Sequence, residues 1–238
     1  MGGRTLKAFV LNLKRRKDRR KHVEAQLPEY FETSFTSDWD GPMDGQSLTD
    51  EALQQHGFSL FPWELKSTNR WWNRPMSKGE IGCSISHWLC WRKASTLDDP
   101  YYVFLEDDVR LEPSFSEDLP DVVSRLSALD EGWDLLYLGR CPQEADDGRV
   151  GEFIKPGFSY GTHAYMLSRS GVAKLLASGF PTGLIPADEI LPAMYIDHPR
   201  PDVRARYPKR LRAYAVDPLL CSVEHQLGSD IKDSGSIP

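Results

Sequence analysis

The sequence predicts an α/β protein, a sheet flanked by helices, and three observations carry that expectation. Short apolar and β-branched runs recur along the chain and read as buried strands. Helical patterns separate these runs over most of the length. The 238 residues suffice for a substantial core, and one domain spanning residues 1–238 is expected, frayed from about residue 234.

Leu6–Leu13 (LKAFVLNL) reads as the first strand, ending at Asn12, and a charged helix with Val23 and Leu27 as an i, i+4 apolar pair follows. Phe31–Thr36 is the second strand, and 38–45 a turn-rich loop. Residues 58–76 carry aromatics and prolines without a period, a length of loop that is unusual unless functional. Ser77-Lys-Gly-Glu80 has the capping-box pattern, and the helix it opens, through Ala94, is apolar on nearly every side and so buried. Tyr101–Leu105 (YYVFL) is a buried strand running into Glu106-Asp107-Asp108. Pro113 suits a helix start; Trp133–Gly139 and His163–Leu167 are further strands. Ser168–Ala177 is a short helix closed by Gly179, and a helix near Ala187 and a strand near 212–216 complete the order.

The apolar share of 40 % and charged share of 27 % are those of an ordinary soluble globular protein. A net charge of −6 argues against nucleic acid as the partner, although Arg15, Arg16, Lys17, Arg19, Arg20 and Lys21 crowd one segment. No stretch approaches the ~20 apolar residues that span a bilayer, and the first apolar run, interrupted by Lys7, is too short for a secretory signal. Cys83, Cys90, Cys141 and Cys221 show no metal-type spacing and read as buried free thiols. The expectation is a cytoplasmic protein, compatible with a homo-oligomer.

Three acids directly after five apolar residues are costly to bury unpaired. Strand alternation would set Glu106 and Asp108 on one face and Asp107 on the other. Such a pair suits a hard divalent ion, Mn²⁺ or Mg²⁺, with phosphate oxygens completing its shell; a solvated turn that caps the next helix is the plain alternative. Arg15, Arg16, Arg19 and Arg20 match phosphate oxygens, or form a solvated helix face. Glu80 touches a ligand or only caps its helix; His87 is a ligand contact or a satisfied core histidine; Asp188 and Glu189 are functional or cap a helix. His225 is undetermined by itself.

Five blocks stand in order along the chain: Asn12-Leu-Lys-Arg-Arg-Lys-Asp-Arg-Arg, Ser77-Lys-Gly-Glu-Ile-Gly-Cys-Ser-Ile-Ser-His87, Leu105-Glu-Asp-Asp-Val109, Trp133-Asp-Leu-Leu-Tyr-Leu-Gly-Arg140 and Pro186-Ala-Asp-Glu-Ile-Leu-Pro-Ala-Met194. Together they resemble glycosyltransferase family 25, most closely the catalytic domain of procollagen hydroxylysine galactosyltransferases. Set against those animal secretory-pathway enzymes, a bacterial or viral cytosolic enzyme is the expectation. The resemblance implies the GT-A-type nucleotide-sugar transferase fold, with a mixed, mostly parallel sheet. It implies an inverting transfer of a hexose, galactose before glucose, from a UDP-sugar to a hydroxyl on a peptide or glycan, hydroxylysine in a collagen-like peptide included. Glu106, Asp108 and His225 would hold Mn²⁺. Asn12, Arg16, Arg19, Asp40, Lys78, Glu80, His87 and Asp107 would meet the donor. Asp188 would be the general base, with Glu189 as runner-up, kept ionised by the N–H groups of a helix start. The alternatives are a non-catalytic glycan- or protein-binding relative of the same fold, and a metal-dependent phosphoesterase.

Overall fold

The first apolar run forms β1 (Leu6–Leu11), and the basic segment behind it forms α1 (Lys17–Glu24), so that Leu27 lies past the helix end. The structure, a computed structural model, describes residues 5–231; the end expected to fray from about 234 lies outside them. Then come β2 (Phe31–Phe35), α2 (Asp50–Gln55), α3 (Lys78–Ala94), β3 (Tyr101–Glu106), β4 (Val109–Leu111), α4 (Phe115–Leu129) and β5 (Leu135–Pro142). The second half adds β6 (Gly148–Val150), β7 (Phe153–Lys155), β8 (Ser159–Ser168), α5 (Arg169–Leu176), α6 (Ala187–Ala193), α7 (Pro201–Arg206), β9 (Ala213–Ala215) and β10 (Cys221–Val223).

Eight strands make one sheet in the order β2-β1-β3-β8-β5-β9-β7-β6, and β4 pairs with β10 apart from it. Pairing is parallel between β1 and both β2 and β3, and between β5 and β9; the other contacts are antiparallel. Only β8 and β7 therefore oppose the common direction, which gives the mixed, mostly parallel α/β sheet. Alternation sends Phe9, Tyr102, Phe104, Tyr137 and Tyr165 into a core with α3, α5 and α6. It sends Val10, Val103, Leu105, Leu136 and Met166 into a second core with α1 and α4. Helices on both faces explain why these strands read as unbroken apolar runs.

The buried helix α3 starts as the sequence indicates. Ser77 Oγ accepts from Glu80 N at 3.1 Å, and the Glu80 carboxylate accepts from Ser77 N at 2.7 Å. Segment 58–76 is irregular, as expected, yet anchored: Leu60 bridges to Leu184, and Trp63 is buried under the Arg200 guanidinium, 4.3 Å from its ring. The strands β4, β6, β7 and β10 have three residues each, too few for a pattern to show. The expectation of buried thiols holds at Cys90 and Cys221 but not at Cys83, which is partly exposed, nor at Cys141, which is exposed because the outer end of β5 leaves the core. No helix among the described residues is long and apolar enough to cross a membrane.

Close packing of α3 on the loop before it rests on Gly82, where a Cβ would sit 2.4 Å from Met43 O and 2.9 Å from Gly45 N. Gly→Ala in an exposed helix gains up to ~1 kcal/mol. Here Gly82→Ala is expected instead to lose about 1–3 kcal/mol through overpacking, read from urea denaturation.

Candidate functional site

Parallel strands β1 and β3 end side by side, Leu11 opposite Glu106, and a cavity of about 290 Å³ opens at these carboxyl ends. Asn12, Arg19, Lys78, Glu106, Asp107 and Asp108 line it, as do Arg15, Cys83 and Asp230. Of the residues anticipated from sequence, Arg16, Asp40, Glu80, His87, Asp188, Glu189 and His225 are outside its lining.

The acidic triplet divides as expected but by a different cause. The strand stops at Glu106, so the pleat does not continue. Instead Asp107 N donates to Leu11 O at 3.1 Å, turning the chain across the end of β1. The Asp107 carboxylate is then held by Asn12 Nδ2 at 2.7 Å and Arg19 Nη1 at 2.7 Å. Glu106 and Asp108 face the cavity, Glu106 with the Thr162 hydroxyl at 2.6 Å and His87 Nε2 at 3.5 Å, and Asp108 with Arg19 at 3.2 Å. Burial and then the neighbouring Glu106 charge push Asp108 well above the ordinary carboxylate value. Burial works in the same sense on Glu106, but His87 and the Thr162 hydroxyl outweigh it and hold this carboxyl low.

The arginines are already engaged by acids. Asp230 accepts from Arg15 Nη1 at 2.6 Å and from Arg16 Nη1 at 2.5 Å, with Arg19 at 3.8 Å. The carbonyls of Leu227 and Gly228 take a further N–H from Arg16 and Arg19. Arg16 also pairs with Asp18, so it is Arg15, not Arg16, that faces the cavity beside Arg19.

Asp188 is the anticipated residue whose surroundings differ most from the expectation. It does not cap α6; that position belongs to Pro186, which offers no side-chain bond. Its Oδ1 accepts from Gly161 N of β8 at 2.9 Å and lies 3.4 Å from Thr162 Oγ1. The Thr162 hydroxyl in turn donates to Glu106 Oε1 at 2.6 Å. Rather than being kept ionised by helix N–H groups, Asp188 is pushed up to about 7, first by burial and then by the Glu106 charge. A half-buried carboxyl poised near neutrality can take up and give back a proton.

Glu189, Glu80 and Lys78 are held by structural partners. Glu189 is 2 % exposed and accepts from Trp72 Nε1, Tyr160 Oη and His198 Nε2 at 3.0, 2.9 and 2.7 Å. Glu80 pairs with Arg74 through two bonds of 2.8 and 2.7 Å besides closing its capping box. Lys78 lines the cavity while its Nζ donates to Leu48 O. Asp40 is exposed beside Lys14, and His225 is exposed in a short 3-10 turn after β10. His87 is buried against Tyr165, so the core-histidine alternative describes its Nδ1 side. Thr162, Cys83 and Asp230 were missed from sequence. Cys83 had a signal in its i, i+4 spacing to His87, whereas Thr162 and Asp230 depend on which distant segments the topology brings home.

Residues 5–145 match the protein family described as "Glycosyltransferase family 25 (LPS biosynthesis protein)". A cattle (Bos taurus) protein named "Probable inactive glycosyltransferase 25 family member 3" is 34 % identical over 92 % of this chain. "Procollagen galactosyltransferase 1" of Danio rerio and "Procollagen galactosyltransferase 2" of Homo sapiens are each 30 % identical over 92 %. The chain spans 37 %, 36 % and 35 % of the lengths of these three relatives.

A raised carboxyl makes a prediction about stability. The native state keeps the Asp188 proton up to about 7 whereas the unfolded chain releases it near 3.8. Between these values the native state binds more protons, so this contribution is full below 3.8 and is lost as pH rises through 7. With divalent ions chelated, Asp188→Asn is expected to raise Tm at pH 8 by a few degrees, ~1 kcal/mol being worth roughly 2–4 °C at this size. At pH 5 the gain should shrink toward zero; equal shifts at both pH values would contradict the assignment.

Proposed function

The chain belongs to glycosyltransferase family 25, and from that membership we propose that it moves a hexose from a UDP-sugar to an acceptor hydroxyl with inversion. Galactose is the first sugar in view and glucose the second. The observation that carries the reading is the chain of contacts Asp188–Thr162–Glu106, which sets a carboxyl near neutrality beside an acidic pair on the cavity. The two cavity carboxylates, Glu106 and Asp108, carry more negative charge than Arg19 balances, and this fits a hard divalent ion such as Mn²⁺ or Mg²⁺. Bound there, such an ion would supply Lewis-acid stabilisation of charge on the departing diphosphate.

The protein's own residues account for the rest of the reaction. Arg15 and Arg19 give the cavity a cationic wall for the diphosphate, with Asp230 as the carboxylate that the phosphates exchange against. Asn12 fixes Asp107, and Asp107 fixes the Arg19 fork. Asp188 takes the proton of the acceptor hydroxyl as the new oxygen–carbon bond forms and the bond to UDP breaks, UDP leaving with the electron pair. Thr162 is a positioning residue that sets the separation of Asp188 from Glu106.

Because two relatives are named procollagen galactosyltransferases, hydroxylysine in a collagen-like peptide is the first acceptor to try, ahead of other peptides and glycans. The name of the cattle relative favours a second reading, a non-catalytic glycan- or protein-binding relative. Against it, a non-catalytic relative would be expected to have a damaged metal motif, and the triplet Glu106-Asp107-Asp108 is intact.

The test is a transfer assay with a panel of UDP-sugars and acceptors, with and without Mn²⁺. Wild-type protein is expected to release UDP and label the acceptor only with the metal. Asp108→Asn should abolish turnover and the metal-dependent part of UDP affinity, measured by calorimetry. Asp188→Asn should bind UDP normally and lose about 10²–10⁴-fold in kcat. Donor binding without any transfer or hydrolysis in wild type would favour the second reading.

The pH profile gives an independent check. A base pushed up to about 7 is protonated below that value. In the metal-loaded enzyme the Glu106 charge is compensated and this value falls, so kcat/KM should climb about tenfold per pH unit up to a break below 7 and level off above it. A profile without any acidic limb from pH 4 to 8 would remove Asp188 from the mechanism.

A further inference from the structure

Cys83 and His87 sit i, i+4 on one face of α3, and that face meets the end of β3 at Glu106. Cys83 Sγ, a His87 ring nitrogen and a Glu106 oxygen all lie within 4.8 Å of one another. His87 is fully buried, and its ring is fixed by a 2.8 Å contact between Nδ1 and the Tyr165 hydroxyl, which also receives the Trp91 N–H. Among the described residues its Nε2 has no hydrogen-bond partner, and it stands 3.5 Å from Glu106 Oε1. A buried ring nitrogen left unpaired beside a thiol and a carboxylate needs an explanation.

A metal ion explains it. Thiolate, imidazole and carboxylate are a zinc-type donor set, and three protein ligands leave one position open. A ligating histidine anchored through its other ring nitrogen is the usual support for such a site, and Tyr165 provides the anchor. Cys83 and Glu106 line the cavity, so an ion has a path in.

We propose that Cys83, His87 and Glu106 form a Zn²⁺ site on the floor of the cavity, distinct from the Glu106/Asp108 pair but sharing Glu106 with it. The Cys83 thiol releases its proton on binding, as coordinated thiols do. Zn²⁺ held here takes Glu106 away from a hard ion, so zinc acts as an inhibitor that excess Mn²⁺ relieves. That consequence rests on the reading of Glu106 and Asp108 given above; the binding itself does not.

The experiment is therefore a binding titration without nucleotide or acceptor. Co²⁺ serves as the probe in the chelator-treated protein, with Cys141→Ser removing the exposed thiol. A near-ultraviolet thiolate-to-cobalt band is expected, saturating at one equivalent and erased by Zn²⁺. Adding Cys83→Ser should abolish the band with the circular-dichroism spectrum unchanged. Glu106→Gln should weaken cobalt binding by roughly tenfold or more, the loss that even a second partner of a metal ligand produces. No band in the Cys141→Ser protein, or a band that survives Cys83→Ser, overturns the proposal whether or not the protein transfers sugar.

Discussion

The hydrogen bond from the Thr162 hydroxyl to Glu106 Oε1, 2.6 Å long, is the contact on which the arrangement around the cavity depends. It exists because β8 runs antiparallel between β3 and β5, and its register sets Ala164 against Leu105. Thr162 then falls just past the end of β3, and Gly161 presents its N–H to Asp188. Residues more than fifty positions apart thus share one electrostatic environment, in which the Glu106 charge is felt by both Asp108 and Asp188. Gathering carboxylates in this way opposes folding, and the two apolar cores that clamp the sheet on either face must offset it.

The same logic governs the basic end of the cavity. Arg15, Arg16 and Arg19 come from one short segment and would repel one another if left alone. Asp230, Asp107 and Asp18 neutralise them from separate parts of the chain. Arg19 is 6 % exposed and bonds both Asp107 and Gly228 O, which ties the first helix to the acidic turn and to the last described segment. Such paired charges are worth more for fixing geometry than for net stability, since burial costs much of what attraction returns. Any anion entering the cavity meets arginines that are already oriented and must compete with a carboxylate for them.

Much of this was legible in the sequence where the signal is local. The buried strands, the capping box at Ser77 and the all-round apolar helix follow from periodicity and end chemistry, and the structure has them within a few residues. Asn12 and the acidic triplet were found at the ends of β1 and β3 because apolar runs stop there. What could not be read is what depends on partners far along the chain. Nothing local says that β8 reverses direction, and so nothing local links Thr162 to Glu106. Glu189 looked as free as Asp188, yet Trp72, Tyr160 and His198 converge on it while Asp188 keeps a half-buried place beside β8. Arg15 and Arg16 are indistinguishable as letters; only the curl of the chain before α1 turns one to the cavity and the other to Asp18.

The central claim is that Asp188 and Glu106 belong to one site and sense each other's charge through the space that Thr162 spans. A carbon-13 titration of the Asp188 carboxyl, assigned by comparison with Asp188→Asn, measures this without reference to any acceptor. A midpoint near 7 is expected in metal-free protein, with a clear downward shift when Mg²⁺ and UDP are added and the Glu106 charge is compensated. A midpoint close to the ordinary 3.8, unmoved by Mg²⁺ and UDP, would contradict it.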